Sequence, residues 1–254
     1  MDVIGVLGGD YCGSTVLARM LCLLPHVAPI GEVHWLVDVR FLDGYETTKA
    51  GWKVKPQCVL CGPGCKILTD GIVRKCRSNG RPYDIVGAAL QCDHLVVTDK
   101  RIDIFQRFIG WNKMLGIVLF KDPKRAVASL IKNEDRRLDE AIGVYKKTHE
   151  DIIHRGHTFC KDIIYVSYET LASNPTKTLA RIAMKLSLPP LRGKAVLPSG
   201  GYHFVGGNPS AHKTSEIALD NSWESRLTPD EKFYIDSKKD VSALHASMLA
   251  LSLL

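Results

Sequence analysis

The chain has 254 residues, 45% of them hydrophobic and 24% charged, which suits a single α/β domain over residues 1–254 with a full-sized core. Its net charge of +7 favours an anionic ligand, whereas the scattered basic residues, without an aromatic-rich basic tract, argue against a nucleic-acid partner. No run reaches the ~18–20 apolar residues that cross a bilayer, and the first residues lack the basic segment of a signal peptide. We therefore expect a cytoplasmic protein without a membrane partner, either a monomer or a homodimer.

Short apolar runs alternate with helical patterns along the chain. The runs that predict buried strands cover residues 3–7, 95–97, 115–120 and 163–166. The predicted helices cover residues 14–24, 103–109, 123–132, 138–155 and 175–186, with one more at the C-terminal end. This alternation is typical of an α/β fold in which helices flank a central parallel sheet. Ligands of such folds bind beyond the carboxyl ends of the strands.

A glycine-rich turn joins the first predicted strand to the first predicted helix. Residues 8–15 read Gly-Gly-Asp-Tyr-Cys-Gly-Ser-Thr, and such a turn directs backbone N–H groups and the positive end of the helix dipole at an anion. The spacing is close to that of a nucleotide-phosphate loop, except that Ser14 replaces the lysine that grips β- and γ-phosphates. The turn therefore predicts a P-loop-like, three-layer fold and favours a ligand with one 5′-phosphate that carries a small transferable group. Alternatively, the glycines only make a tight corner and Ser14 only caps the helix.

Residues 40–92 interrupt the alternation and predict a cysteine-containing insertion or lid over the site. Cys58, Cys61 and Cys65 have a spacing that suits zinc ligands. A fourth ligand would come from Cys76, Cys92 or His94. Free thiols or one local disulfide are the alternatives to a metal site.

Four further motifs follow the glycine-rich turn. They are Thr98-Asp99-Lys100, the segment 120–129 (Phe-Lys-Asp-Pro-Lys-Arg-Ala-Val-Ala-Ser), the segment 165–171 (Tyr-Val-Ser-Tyr-Glu-Thr-Leu) and the segment 203–209 (His-Phe-Val-Gly-Gly-Asn-Pro). The first three come at the ends of predicted strands, where ligand-binding residues are expected.

This ordered set resembles the sulfotransferases that use 3′-phosphoadenosine 5′-phosphosulfate (PAPS), above all the bacterial and tyrosylprotein types. The resemblance extends from Ile4 to about Arg226. The family loop R-S-G-[ST]-T corresponds to residues 11–15, the motif R-D-x-R-x-x-x-x-S to residues 121–129, and the motifs Y-E-x-L and G-N-P to residues 168–171 and 207–209. Two residues depart from the family pattern: Tyr11 and Lys121 each replace an arginine.

The resemblance implies two catalytic roles in sulfuryl transfer. Glu32, in the G-E pair after the first helix, would be the base, with a pKa raised by burial. His34 is the alternative base, and Lys100 would stabilise the departing bridging oxygen. Instead, Glu32 could be a structural carboxylate paired with Arg19 or Arg40.

The resemblance also implies a donor site. Residues of the glycine-rich turn would hold the 5′-phosphosulfate, namely Tyr11, Cys12, Gly13, Ser14 and Thr15. Lys121 and Ser129 would bind the 3′-phosphate with the help of Tyr168. The late residues Gly207, Asn208 and Lys213 would complete the site, and His203 would have a structural or substrate-contacting role.

Taken with the motifs, the resemblance predicts a PAPS-dependent sulfotransferase that acts on a hydroxyl or amine of a small-molecule acceptor and releases PAP. This chemistry requires no metal. A small-molecule kinase or other P-loop NTPase is a rival, disfavoured by Ser14 at the lysine position. The second rival is a catalytically decayed nucleotide-binding module, with zinc on the cysteine cluster.

Overall fold

The computed structural model describes residues 1–37, 46–47, 53–54, 57–109 and 114–252. Five parallel strands form its central sheet in the order β2-β5-β1-β6-β7. In chain order they are β1 (Asp2–Leu7), β2 (Val27–Gly31), β5 (His94–Lys100), β6 (Met114–Phe120) and β7 (Asp162–Ser167), and the short strands β3 (Glu46–Thr47) and β4 (Lys53–Val54) pair separately. The predicted α/β fold with a central parallel sheet is therefore confirmed.

Helices cover both faces of the sheet. They are α1 (Ser14–Leu21), α2 (His34–Val37), α3 (Asp70–Asn79), α4 (Pro82–Leu90), α5 (Ile102–Phe108), α6 (Pro123–Glu134), α7 (Leu138–Phe159), α8 (Tyr168–Ser173), α9 (Pro175–Lys185), α10 (Pro209–Lys213), α11 (Trp223–Arg226), α12 (Pro229–Ser237) and α13 (Lys239–Ala250). No helix among the described residues has the length and apolar character that would let it cross a membrane.

The buried apolar side chains form two clusters, one on each face of the sheet. Alternate residues of β1 belong to opposite clusters: Val3 and Leu7 pack on the side of α7, and Ile4 and Val6 pack on the side of α1. Because β1 is buried on both faces, it has the continuous apolar sequence that made it predictable.

The segment predicted as an insertion or lid lies only partly within the described residues. Its second half forms α3 and α4, and it buries Val73, Tyr83 and Val86 in the cluster that contains Val3 and Leu7. This half is therefore part of the core of the fold. The lid role of residues 40–92 remains a prediction.

Candidate functional site

The glycine-rich turn connects β1 to α1 at the carboxyl end of the sheet. Tyr11 and Gly13 have left-handed backbone angles, with φ of 60° and 99°. Gly13 precedes the helix as its N-cap, and Ser14 is the first helical residue, so Ser14 is not the cap. Ser14 and Thr15 are buried. The first turn of an α-helix has N–H groups without intrahelical partners. In α1 these N–H groups follow directly after the glycine-rich turn.

Glu32 and Lys100 form an ion pair next to the turn. The distance between Lys100 Nζ and Glu32 Oε1 is 2.9 Å, and Lys100 Nζ also lies 3.1 Å from Asp10 Oδ1 in the turn itself. Trp35 Nε1 donates a 2.6 Å hydrogen bond to the other oxygen of Glu32. Lys100 ends β5 in a left-handed conformation with φ of 63°. Such a conformation is costly for a residue other than glycine, and strained residues of this kind cluster at active sites.

The ion pair governs the protonation of both groups. Burial raises the pKa of Glu32, but Lys100, His34 and the hydrogen bond from Trp35 outweigh burial and hold the pKa below its ordinary value. Burial lowers the pKa of Lys100, but Glu32 and Asp10 raise it well above its ordinary value. The raised Glu32 pKa expected from burial alone is therefore wrong, because the sequence did not reveal the partner. Both groups are charged at neutral pH.

Arg19 does not pair with Glu32. It is buried, and its guanidinium donates to the backbone carbonyls of Pro198, Ala211 and Thr214. The other proposed partner, Arg40, lies outside the described residues.

His34 belongs to a hydrogen-bonded chain beside the ion pair. Its Nδ1 lies 2.7 Å from Oδ1 of the buried Asp99, and the Tyr83 hydroxyl donates a 2.8 Å bond to Oδ2 of the same carboxylate. Burial lowers the pKa of His34, but the charge and hydrogen bond of Asp99 raise it above its ordinary value. A histidine held by a carboxylate through one ring nitrogen can exchange protons through the other.

Lys121 and Tyr168 lie on the opposite side of the turn. Lys121 Nζ is 4.3 Å from the centre of the Tyr168 ring, and a Cβ at Gly13 would come within 2.9 Å of that ring. Burial lowers the pKa of Lys121. The turn, β6 and α8 therefore bring Gly13, Lys121 and Tyr168 together.

Ser129 and Arg125 occupy successive turns of α6. The Ser129 hydroxyl donates to the Arg125 carbonyl at 2.8 Å, so its proton is used inside the helix. Arg125 Nε lies 3.5 Å from Glu169 Oε1, and its Nη2 donates to Asn221 at 2.9 Å. Arg125 thereby ties the Y-E-x-L motif to the segment after α10.

The late glycine segment touches both the turn and the ion pair. The Asn208 N–H donates to Thr15 Oγ1 at 3.2 Å. A Cβ at Gly206 would lie 2.7 Å from Glu32 Oε2, and one at Gly207 would lie 2.9 Å from Thr15 Oγ1. Lys213, by contrast, is an exposed residue at the end of α10.

The cysteine cluster differs from its prediction in the fourth residue. Cys58, Cys61 and Cys65 converge, and the residue that joins them is His203. Cys76 is buried in α3 among apolar side chains, so it is not a member of the cluster. Cys92 and His94, the other candidates, are likewise not members of it. Spacing along the chain could not reveal a residue that comes from a segment about 140 positions later.

His149 is a site residue that sequence reasoning missed. This buried side chain of α7 lines a small cleft together with Gly9, Cys12 and Lys121. Its Nδ1 lies 2.8 Å from the Tyr145 carbonyl, and within the described part of the chain its Nε2 has no hydrogen-bond partner. Burial lowers the pKa of His149 to about 4. A lone histidine in a helical pattern gives no signal of such a position.

Comparisons with known proteins identify the fold. No protein-family model and no curated protein matches the chain. Among solved structures, it is similar to the sulfotransferase domain from the curacin biosynthetic pathway, with a TM-score of 0.63 and 16% identity over 100% of this chain and 99% of that one. The sulfotransferase domain from the Synechococcus PCC 7002 olefin synthase gives a TM-score of 0.59 and 17% identity over 100% of this chain and 96% of that one. A sulfotransferase from Alicyclobacillus acidocaldarius gives a TM-score of 0.50 and 12% identity over 98% of this chain and 96% of that one.

The chain therefore has a sulfotransferase-like α/β fold. This confirms, at the level of the fold, the resemblance that the motifs indicate.

Proposed function

We propose that the protein is a PAPS-dependent sulfotransferase that transfers a sulfuryl group to a hydroxyl or amine of a small-molecule acceptor. The observation that carries the proposal is the Glu32–Lys100 ion pair, 2.9 Å long, beside a glycine-rich strand-to-helix turn. The turn offers N–H groups to one phosphate, and the pair offers a base and a cation at its edge.

The donor would lie across the turn. Residues 11–15 would bind the 5′-phosphosulfate, and Lys121 would meet the 3′-phosphate from the other side. Burial lowers the pKa of Lys121, which means that its charged form lacks favourable surroundings. A bound phosphate would stabilise that charge, and this supports an anion beside Lys121. Asn208 and Gly207 support the turn through Thr15.

The reaction would be an in-line displacement at sulfur. The acceptor oxygen or nitrogen forms a bond to sulfur while the bond between sulfur and the bridging oxygen of PAPS breaks, which releases PAP. Glu32 accepts the acceptor's proton, and Lys100 stabilises the charge that develops on the bridging oxygen.

The ion pair gives this reaction an order of events. While Lys100 contacts Glu32, the low pKa makes the carboxylate a weak base. As the developing charge attracts Lys100, Glu32 loses a partner that holds its pKa down, so its pKa rises. Glu32 therefore becomes more basic at the stage when it takes the proton of the acceptor.

The proposal is tested with sulfur-labelled PAPS and a panel of small alcohols, phenols and amines. Labelled product and stoichiometric PAP are expected. If ATP with Mg²⁺ stabilises the protein and PAP does not, the kinase is supported instead. Tight PAP binding without transfer to any acceptor would indicate the decayed module.

The base is tested by comparing Glu32→Gln with His34→Ala. We expect Glu32→Gln to retain PAP affinity and to lose about 10²-fold or more in transfer rate, the scale of general-base catalysis. Glu150→Gln is the control, because Glu150 is a surface carboxylate of α7 that is 43% exposed. Full activity in Glu32→Gln together with loss in His34→Ala would assign the base to His34.

A further inference from the structure

We propose that Cys58, Cys61, Cys65 and His203 bind one Zn²⁺ ion in a closed structural site. The four ligand atoms all lie within 4.8 Å of one another. His203 Nδ1 is 3.3 Å from Cys65 Sγ, 3.6 Å from Cys61 Sγ and 3.9 Å from Cys58 Sγ. The inference is independent of the proposed transfer reaction.

These distances suit a tetrahedral zinc ion. With Zn–S of about 2.3 Å and Zn–N of about 2.0–2.1 Å, the sulfur-to-nitrogen edges of a tetrahedron are about 3.5 Å. Three thiolates and one imidazole are a zinc ligand set rather than a calcium or magnesium set, since those ions prefer oxygen. The described cysteines form no disulfide.

The backbone around the cluster orients two of the sulfurs. The Cys61 N–H points at Cys58 Sγ at 3.5 Å, and the Leu68 N–H donates to Cys65 Sγ at 3.2 Å. Donors of this kind stabilise thiolates and fix ligand orientation, as outer contacts of metal sites do. Cys58 and Cys65 are buried and Cys61 is exposed, so the site lies at the surface with an entry path for the ion.

The ion would fasten two distant segments together behind the ion pair. The Val59 N–H donates to the Phe204 carbonyl at 2.8 Å, directly beside the cluster. One residue further on, Val205 accepts from the Glu32 N–H at 2.8 Å and donates to the Ile30 carbonyl at 2.7 Å. Zinc at His203 would therefore hold the strand-like segment that fixes the Glu32 backbone.

Four protein ligands leave no open position for a substrate or water. The ion would thus be structural, with no direct part in the transfer reaction. Since its ligands come from positions 58–65 and 203, it would cross-link segments that the chain brings together only on folding.

The test is the zinc content of the purified protein and its variants. We expect one zinc per chain in the unmodified protein and less than about a tenth of that in Cys65→Ser. His203→Cys should retain full zinc, because four thiolates also form a tetrahedral site. Cys76→Ser is the matched control: it also replaces a buried cysteine, outside the cluster, and should retain full zinc.

A spectroscopic measurement on the unmodified chain covers the case in which a variant does not fold. After exchange with Co²⁺, a tetrahedral cobalt spectrum with thiolate charge-transfer bands is expected. The proposal is overturned if the folded protein binds no zinc from added salt, if Cys65→Ser keeps its zinc, if Cys76→Ser folds but loses it, or if the cobalt spectrum is octahedral without thiolate bands.

Discussion

At the scale of single residues, Lys100 is the side chain on which the transfer proposal depends most. It faces Glu32 and Asp10, and its backbone is held in a left-handed conformation at the end of β5. If its charge stabilises the bridging oxygen, the contact strengthens as the sulfur–oxygen bond breaks. Lys100→Met should then lower kcat by roughly 10²–10³-fold with a smaller change in donor affinity.

Steady-state kinetics and PAP titration measure the two effects separately. Lys146→Met is the control, because Lys146 is 37% exposed and forms an ion pair with Asp240 of α13. A raised KM for PAPS with an unchanged kcat would mean that Lys100 only attracts the donor.

A second prediction at the scale of single residues concerns His149 and the dependence of stability on pH. Burial holds its folded-state pKa at about 4, below the ordinary 6.5. Between these values the unfolded chain takes up a proton that the folded protein does not, so stability is full above about pH 6.5 and falls as the pH falls. At about pH 5 the loss from this residue should be about 2 kcal/mol.

Denaturant unfolding of the unmodified protein and of His149→Gln at several pH values measures this loss. The variant should show a flatter decline between about pH 6.5 and 5. His154→Gln, a change at an exposed histidine of the same helix, should keep the original decline. Equal slopes in the unmodified protein and His149→Gln would contradict the prediction.

At the scale of elements, the end of β2 sets how closely the late segment can approach the ion pair. Gly31 has φ of 85°, and a Cβ there would clash with the Val205 carbonyl oxygen. Gly31→Ala should therefore destabilise the fold by more than about 2 kcal/mol, from backbone strain and from displacement of Val205. Because the next residue is Glu32, the change should also reduce activity.

Thermal and denaturant unfolding measure this effect. Gly143→Ala is the matched control, because a Cβ at this glycine within α7 meets no atom within 4 Å. It should leave stability unchanged or raise it, since alanine favours a helix. Equal stability of Gly31→Ala and the unmodified protein would show that the late segment can move away.

The same elements show what the sequence could predict. β1, β5, β6 and β7 each contain a buried apolar run, so their local pattern was sufficient. β2 was missed because Pro29 lies within it and Gly31 at its end, and both residues weaken a strand pattern. β7, the other edge strand, contains neither proline nor glycine. α3 and α4 were missed because the cysteine, glycine and proline residues of 57–92 suggested a loop.

The candidate site also has a part that the sequence could predict and a part that it could not. The glycine-rich turn and Lys100 lie at strand ends, where sequence and topology together place them. The pairing of Lys100 with Glu32, the Asp99–His34 contact and the entry of His203 into the cysteine cluster join segments far apart in the chain. Lys100, His34 and the hydrogen bond from Trp35 also reverse the pKa shift expected for Glu32. Burial alone therefore does not predict the protonation of a residue whose partner is unknown.

At the scale of the whole molecule, ligand binding should appear as stability of the entire fold, because the donor would bridge the turn, β6 and α8. PAP at 100 times its dissociation constant should raise the free energy of unfolding by ~2.7 kcal/mol. AMP at the same concentration should raise it much less, since it lacks the 3′-phosphate that Lys121 is proposed to meet. ATP with Mg²⁺ should also have little effect, because Ser14 replaces the lysine that would grip its terminal phosphates.

The charge on Lys121 provides the internal check on this last prediction. Lys121→Ala should remove most of the difference between PAP and AMP, while Lys161→Ala, a change at an exposed lysine before β7, should preserve it. The PAP effect should weaken as salt is added, because the net charge of +7 and the charge on Lys121 both attract the ligand. Equal stabilisation by PAP and AMP in the unmodified protein would remove Lys121 from the 3′-phosphate site, and with it the strongest argument for this donor over other adenine nucleotides.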